Sequence, residues 1–151
     1  MNPAMGTQRF GCFTAAEPDR VWAALTGTGE TGRYLHGMAA HSSWQADAPI
    51  RFQTEGSPAA GPFWLTGRVL HAQPFCRLSY SVQSGPEDPP IFLTWQIRPC
   101  PGGSTIGLQI DEVEYADSLE EAENTWLPVL AALQALLASD ALVRPGEYPP
   151  E

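Results

Sequence analysis

The stretch from Leu119 to Leu137 constrains this chain more than any other, because it reads as the one long amphipathic helix and follows a succession of short alternating segments. Leu119, Ala122, Trp126, Val129, Leu130, Leu133, Leu136 and Leu137 recur at three- and four-residue spacings, which gathers them on one apolar stripe that must be buried. The segments ahead of it supply the one large partner, an antiparallel sheet. A sheet that bends around a single closing helix tends to leave an apolar hollow between the two, so the pattern describes a container. Asp117 and Glu120 have the spacing of a capping box, and the acidic approach complements the positive end of the helix dipole. Pro128 cannot donate to the Asn124 carbonyl, so a kink or restart is expected there, at about 3 kcal/mol unless the break is accommodated.

Gln8 to Thr14 reads as a first strand. Pro18 suits the first turn of a short helix running to about Thr26, with Val21, Trp22 and Leu25 on its buried side. Glycines then break it, and Glu30 to Leu35 has room for one further helical turn. From Ile50 the period changes to two. Ile50 and Phe52, then Leu78, Tyr80 and Val82, then Leu93, Trp95 and Ile97, then Ile106, Leu108 and Ile110 all point inward from successive strands. Phe63 to His71 is apolar on both faces, which leaves its orientation open. Gly- and Pro-rich segments at 56–62, 73–75, 84–90 and 99–103 are turns. No repeat or long linker divides the chain, so one domain is expected over 8–138, between a flexible N-terminus (1–7) and a flexible tail (139–151).

Composition removes several classes of function. A formal charge of -9, no lysine and well-spread arginines argue against nucleic acid, whose phosphates need clustered cations. No apolar run approaches the roughly 18 residues of a membrane span, and the N-terminus has no apolar signal region, so a cytoplasmic protein is expected. The arginine-only basic set resembles the composition of GC-rich bacterial genomes. Cys12, Cys76 and Cys100 are odd in number and widely spaced, which fits reduced structural thiols. His36, His41 and His71 lack metal-ligand spacing, so neither metal nor other cofactor is expected. His71 reads as a surface or hydrogen-bonded histidine in preference to a pocket acid or base.

Two motifs invite over-reading. Gly27-Thr-Gly-Glu-Thr-Gly32 matches Gly-x-Gly-x-x-Gly, but a dinucleotide fingerprint follows a strand inside a parallel unit, and this one follows a helix. A glycine-terminated helix and a turn is the preferred reading. The carboxylates from Asp111 to Glu123 have no basic residue between them, yet a calcium site needs convergence, so a solvated strand end and helix start is preferred. No Gly-x-Ser-x-Gly elbow is present, and nucleophilic catalysis has no support in the sequence.

Four segments together resemble a known family: Phe13-Thr-Ala-Ala-Glu-Pro-Asp-Arg-Val-Trp-Ala-Ala-Leu25, Gly67-Arg-Val-Leu-His-Ala-Gln-Pro-Phe-Cys-Arg-Leu-Ser-Tyr80, Leu93-Thr-Trp-Gln-Ile-Arg-Pro99 with Gly103-Ser-Thr105, and Trp126-Leu-Pro-Val-Leu-Ala-Ala-Leu133. Their order and spacing resemble the START-like, or SRPBCC, helix-grip superfamily, and within it the bacterial activator-of-Hsp90-ATPase-like family. Asn124-Thr125 stands before Trp126 where many relatives have a glycine, which bears on the kink. The resemblance implies an α+β fold: a curved seven-stranded antiparallel sheet around a long C-terminal helix, with two short helices after strand 1. It also implies a cavity, which in various relatives holds lipids, hormones or polyketide-like molecules.

Phe52, Tyr80 and Trp95 share the inward parity, and Trp126, Leu130 and Leu133 lie on the closing helix. These six are the expected ligand-binding residues for a small apolar or amphipathic molecule, with plain core packing as the competing reading. Tyr80 is the candidate to orient a ligand through its hydroxyl. No catalytic residue is assigned, and binding is favoured over catalysis. The alternatives are an enzyme of the polyketide cyclase or dehydratase type in the same cavity, which needs a polar pair there, and a co-chaperone-like or regulatory interaction domain. In the eukaryotic co-chaperones this domain is joined to an N-terminal one that the chain lacks, which weighs against a chaperone partner. A homodimer is left open.

Overall fold

The computed structural model describes residues 6–35, 37–54, 65–83, 90–112 and 119–142. In chain order the elements are β1 (Gly6–Thr14), α1 (Pro18–Thr26), α2 (Thr28–Tyr34), β2 (Met38–His41), β3 (Pro49–Thr54), β4 (Leu65–Gln73), β5 (Arg77–Val82), β6 (Ile91–Cys100), β7 (Gly103–Glu112) and α3 (Leu119–Leu142). The strands make one curled antiparallel sheet in the order β1-β7-β6-β5-β4-β3-β2. Helix α3 packs against α1, α2 and β1 and closes the inner side.

Alternation in the sequence becomes a buried and an exposed face. Ile50, Phe52, Leu78, Tyr80, Leu93, Trp95, Ile97, Ile106, Leu108 and Ile110 are buried in one core cluster, and Val82 is partly buried against it. From α3 come Val129, Leu130, Leu133, Leu136 and Leu137, with Trp126 half-buried beside them. Strand β4, whose two apolar faces hid its orientation, turns Val69 and Ala72 inward. A bulge between Val69 and His71 carries it across, leaving Leu70 exposed between them.

The short helices are fixed by side chains that reach the neighbouring backbone. The Gly27 N–H bonds the Ala23 carbonyl and ends α1, so Gly27 to Gly32 occupies a helix junction and α2, with no strand immediately before it. Tyr34 donates from its hydroxyl to the Leu25 carbonyl at 3.0 Å, and the Thr31 hydroxyl accepts from the Ala40 N–H at 2.8 Å. Arg20 pairs with Glu30 at 2.7 Å, joining α1 to α2. These contacts seat strand β2, which the side-chain pattern of Met-Ala-Ala-His does not announce.

The expected restart at Pro128 does not occur, because α3 is continuous through it and runs to Leu142, past the expected end at Ala138. Asn124 and Pro128 are both exposed, so the carbonyl that loses its helical donor sits where water can serve it. The capping pair's Asp117, together with Phe63, Trp64 and His36, lies outside the described residues.

Candidate functional site

The inner face of the sheet is packed solid at its centre and hollow toward one end. Trp95 on β6 marks the solid part. It is fully buried, its ring meets Tyr34 edge-on at 6.0 Å, and its Nε1 donates to the Tyr80 hydroxyl at 3.2 Å. The Tyr80 ring is flanked by Phe52 at 6.2 Å and by Trp44 at 5.8 Å. Trp44 sits in the β2–β3 connection at a positive φ of 60°, where no periodicity could have flagged it as an inner-face residue.

Beyond Tyr80 lies a cavity of about 180 Å³. The sheet contributes Phe52, Leu65, Tyr80, Val82, Ile91 and Leu93 to its wall. Leu35 and Met38 close one side, and Thr125 and Trp126 on α3 close the other. None of these side chains is charged, and their polar groups are the hydroxyls of Tyr80 and Thr125 and the indole N–H of Trp126. The wall is almost wholly carbon.

Of the six expected ligand-binding residues, Phe52, Tyr80 and Trp126 line this hollow. Trp95, Leu130 and Leu133 do not: they are packed in the core cluster, deeper along the sheet. The Tyr80 hydroxyl accepts from Trp95 Nε1 and keeps its own proton, and Tyr80 forms part of the wall of the hollow. Leu65, Val82, Ile91 and Leu93 are lining residues absent from the sequence-based set. Val82 and Leu93 carried the inward parity that could have found them.

Burial pushes the Tyr80 phenol up to about 12, partly offset by the Trp95 N–H bond. Burial raises Tyr34 well above its ordinary value, with Tyr80 and Glu30 adding to it. Both phenols therefore hold their protons more tightly folded than unfolded. Their contribution to stability is complete below the unfolded value of about 10 and is lost as pH rises through the folded values. Stability is thus expected to fall steeply above about pH 10, with phenolate absorbance and loss of tertiary circular dichroism appearing together. Phenolate forming at pH 10 with all tyrosines titrating in a native fold would contradict this. Burial likewise lifts the Cys12 thiol to about 11, which suits a structural and unreactive sulfur.

Among the described residues no group of His, Cys, Asp and Glu could hold a metal ion, and no helix is long and apolar enough to cross a membrane. His41 and His71 are exposed, away from the hollow.

A curled seven-stranded antiparallel sheet closed by a long helix at the end of the chain, over an apolar hollow, defines the α+β helix-grip class of START-like domains. The chain belongs to the Activator of Hsp90 ATPase homolog 1-like protein family, whose model matches residues 15–138. Among solved structures it is similar to a Mesorhizobium loti protein, at TM-score 0.72 and 18% identity over 89% of this chain and 98% of the other. A Rhodobacter sphaeroides protein is similar at TM-score 0.66 and 24% identity, covering 90% and 97%. DynU16, from the dynemicin biosynthetic locus, is similar at TM-score 0.67 and 18% identity, over 88% of this chain and 47% of that one. At these identities the likeness carries the fold alone. None of the curated proteins matches this chain.

Proposed function

We propose that this protein binds a small, uncharged, apolar or amphipathic molecule in the hollow between its sheet and α3. The observation that carries the reading is the carbon wall of the 180 Å³ cavity, beside a cluster of buried apolar side chains. A dry apolar cavity of about 150 Å³ is enough to hold benzene, so one ring with a short substituent fits without rearrangement. Binding would be driven by removal of apolar surface from water, at about 25 cal/mol per Å², less the cost of ordering the ligand. A charged ligand would find no counter-charge among the described residues of this wall and would lose its hydration.

The same lining weighs the cyclase or dehydratase reading. Such a reaction needs an acid and a base in contact with substrate, and the described lining residues supply the hydroxyls of Thr125 and Tyr80, the latter accepting from Trp95, and the Trp126 indole N–H. Binding is the better supported use of the space.

Calorimetric titration with indole or p-cresol tests the proposal. Saturable binding is expected in the native protein, and Val82→Phe is expected to abolish it by placing a ring in the cavity, with little change in melting temperature because Val82 is only partly buried. Equal binding by the Val82→Phe variant would move the ligand elsewhere, and no saturable heat with any single-ring probe would remove the proposal.

A further inference from the structure

The outer face of the sheet has its own pattern. Arg9, Arg51, Arg68, Arg77 and Arg98 are all exposed on this face, so most of the arginines of a chain with formal charge -9 collect on one surface. Strand register also sets a row across it. Gly11 on β1 stands opposite Gly107 on β7, Gly107 opposite Gln96 on β6, Gln96 opposite Arg77 on β5, and Arg77 opposite Gln73 on β4. The paired glycines leave one end of the row without side chains. Three adjoining hollows, of about 230, 220 and 90 Å³, open along it, and Gln96 belongs to all of them.

The trough is bounded by cations. Arg98 borders two of the hollows, Arg77 one of those two, and Arg9 the third. Neither Arg77 nor Arg98 has a hydrogen-bond or ion-pair partner among the described residues, and Arg9 donates to a neutral partner, the Gln109 amide oxygen, at 3.0 Å. Asp111, a carboxylate on the same face, is already engaged by the Thr7 hydroxyl and the Gln109 amide. Phe13, two residues beyond Gly11, and Phe75, in the turn after Gln73, are about half exposed, at 49% and 52%, near opposite ends of the row.

We infer that this trough binds an extended acidic segment of a partner protein, with its carboxylates on Arg9, Arg77 and Arg98 and its main chain on Gln73 and Gln96. Guanidinium forks match carboxylates in pairs of parallel bonds. A primary amide both donates and accepts, which complements a peptide group; a polyphosphate, all acceptor, would leave the amide oxygens unmatched. Five strands about 4.8 Å apart give a row of about 19 Å, the reach of six residues of extended chain. The overall negative charge slows the approach of such a peptide. Within a Debye length of about 8 Å, however, the unpaired arginines set the local field. This site is on the opposite side of the sheet from the hollow and does not depend on what the hollow holds.

The test is fluorescence anisotropy with a fluorescein-labelled octapeptide of alternating Glu and Ser, beside its Gln-Ser counterpart. The expected result is saturable binding of the Glu peptide alone, weakened by salt. Arg77→Ala with Arg98→Ala should weaken it by about tenfold or more. Gly107→Val keeps every charge and fills the trough floor, where a Cβ meets nothing closer than Gln96 Cβ at 3.9 Å, and it should weaken binding without lowering the melting temperature. No saturable binding by the native protein, or binding unaltered in both variants, would overturn the inference. So would tighter capture by phosphatidylserine vesicles with none by the peptide, in favour of a membrane surface.

Discussion

Replacing Trp95 with alanine is expected to lower the free energy of unfolding by about 3–5 kcal/mol, a drop of about 10 °C in melting temperature for a domain of this size. The indole is fully buried, stacked edge-on against Tyr34, and its N–H is the donor to the Tyr80 hydroxyl. Removing it opens a void and leaves the Tyr80 oxygen without its bond in the interior. Trp95→Phe separates the two effects, because it keeps most of the volume and loses the donor, so a cost of about 1–2 kcal/mol is expected. Denaturant unfolding of both variants measures this. Near-equal costs would mean that the hydrogen bond, and not the packing, dominates the site. Since Trp95 does not line the hollow, Trp95→Phe should leave indole binding unchanged.

The second large effect is expected from one glycine and not from another. Gly67→Val on β4 drives a side chain into the backbone carbonyl of Ser81 on β5, a contact that no rotamer change relieves. A loss of about 3 kcal/mol or more is expected, at the upper end of overpacking costs. The same change at Gly107 on β7 meets only open space and the Gln96 side chain, so it should be neutral or slightly stabilising through the β-propensity of valine. Paired melts of the two variants decide the matter. Equal tolerance at both positions would show that β4 and β5 can part locally without penalty.

Periodicity in the sequence was enough to find the inner face of the sheet, because burial on one side forces alternation residue by residue. It was not enough to find depth. Trp95 and Tyr80 share parity and a hydrogen bond, yet one is core and the other wall, since the boundary is drawn by where α3, Leu35 and Met38 come to rest. Strand β2 escaped detection for a related reason. Met38-Ala-Ala-His41 has weak β propensity and is held by Thr31 and by pairing with β3, contacts that no local pattern encodes. The bulge at β4 explains why alternation fails at Val69-Leu70-His71: the phase changes there, near the end of the strand. The outer trough was invisible for the same cause as the depth of Trp95, because Gly11 and Gly107 become neighbours only through register.

That register also sets a schedule for synthesis. Thr7 on β1 bonds Asp111 on β7, partners 104 positions apart, so β1 leaves the ribosome long before its mate is made. At about 5–20 residues per second the wait is roughly 5 to 20 seconds, during which β1 has no native neighbour in the sheet and presents a bare edge to other nascent chains. A strand that waits this way has reason to carry few apolar residues, and Gly6-Thr-Gln-Arg-Phe-Gly-Cys-Phe-Thr14 holds two large hydrophobes, Phe10 and Phe13, among its nine residues.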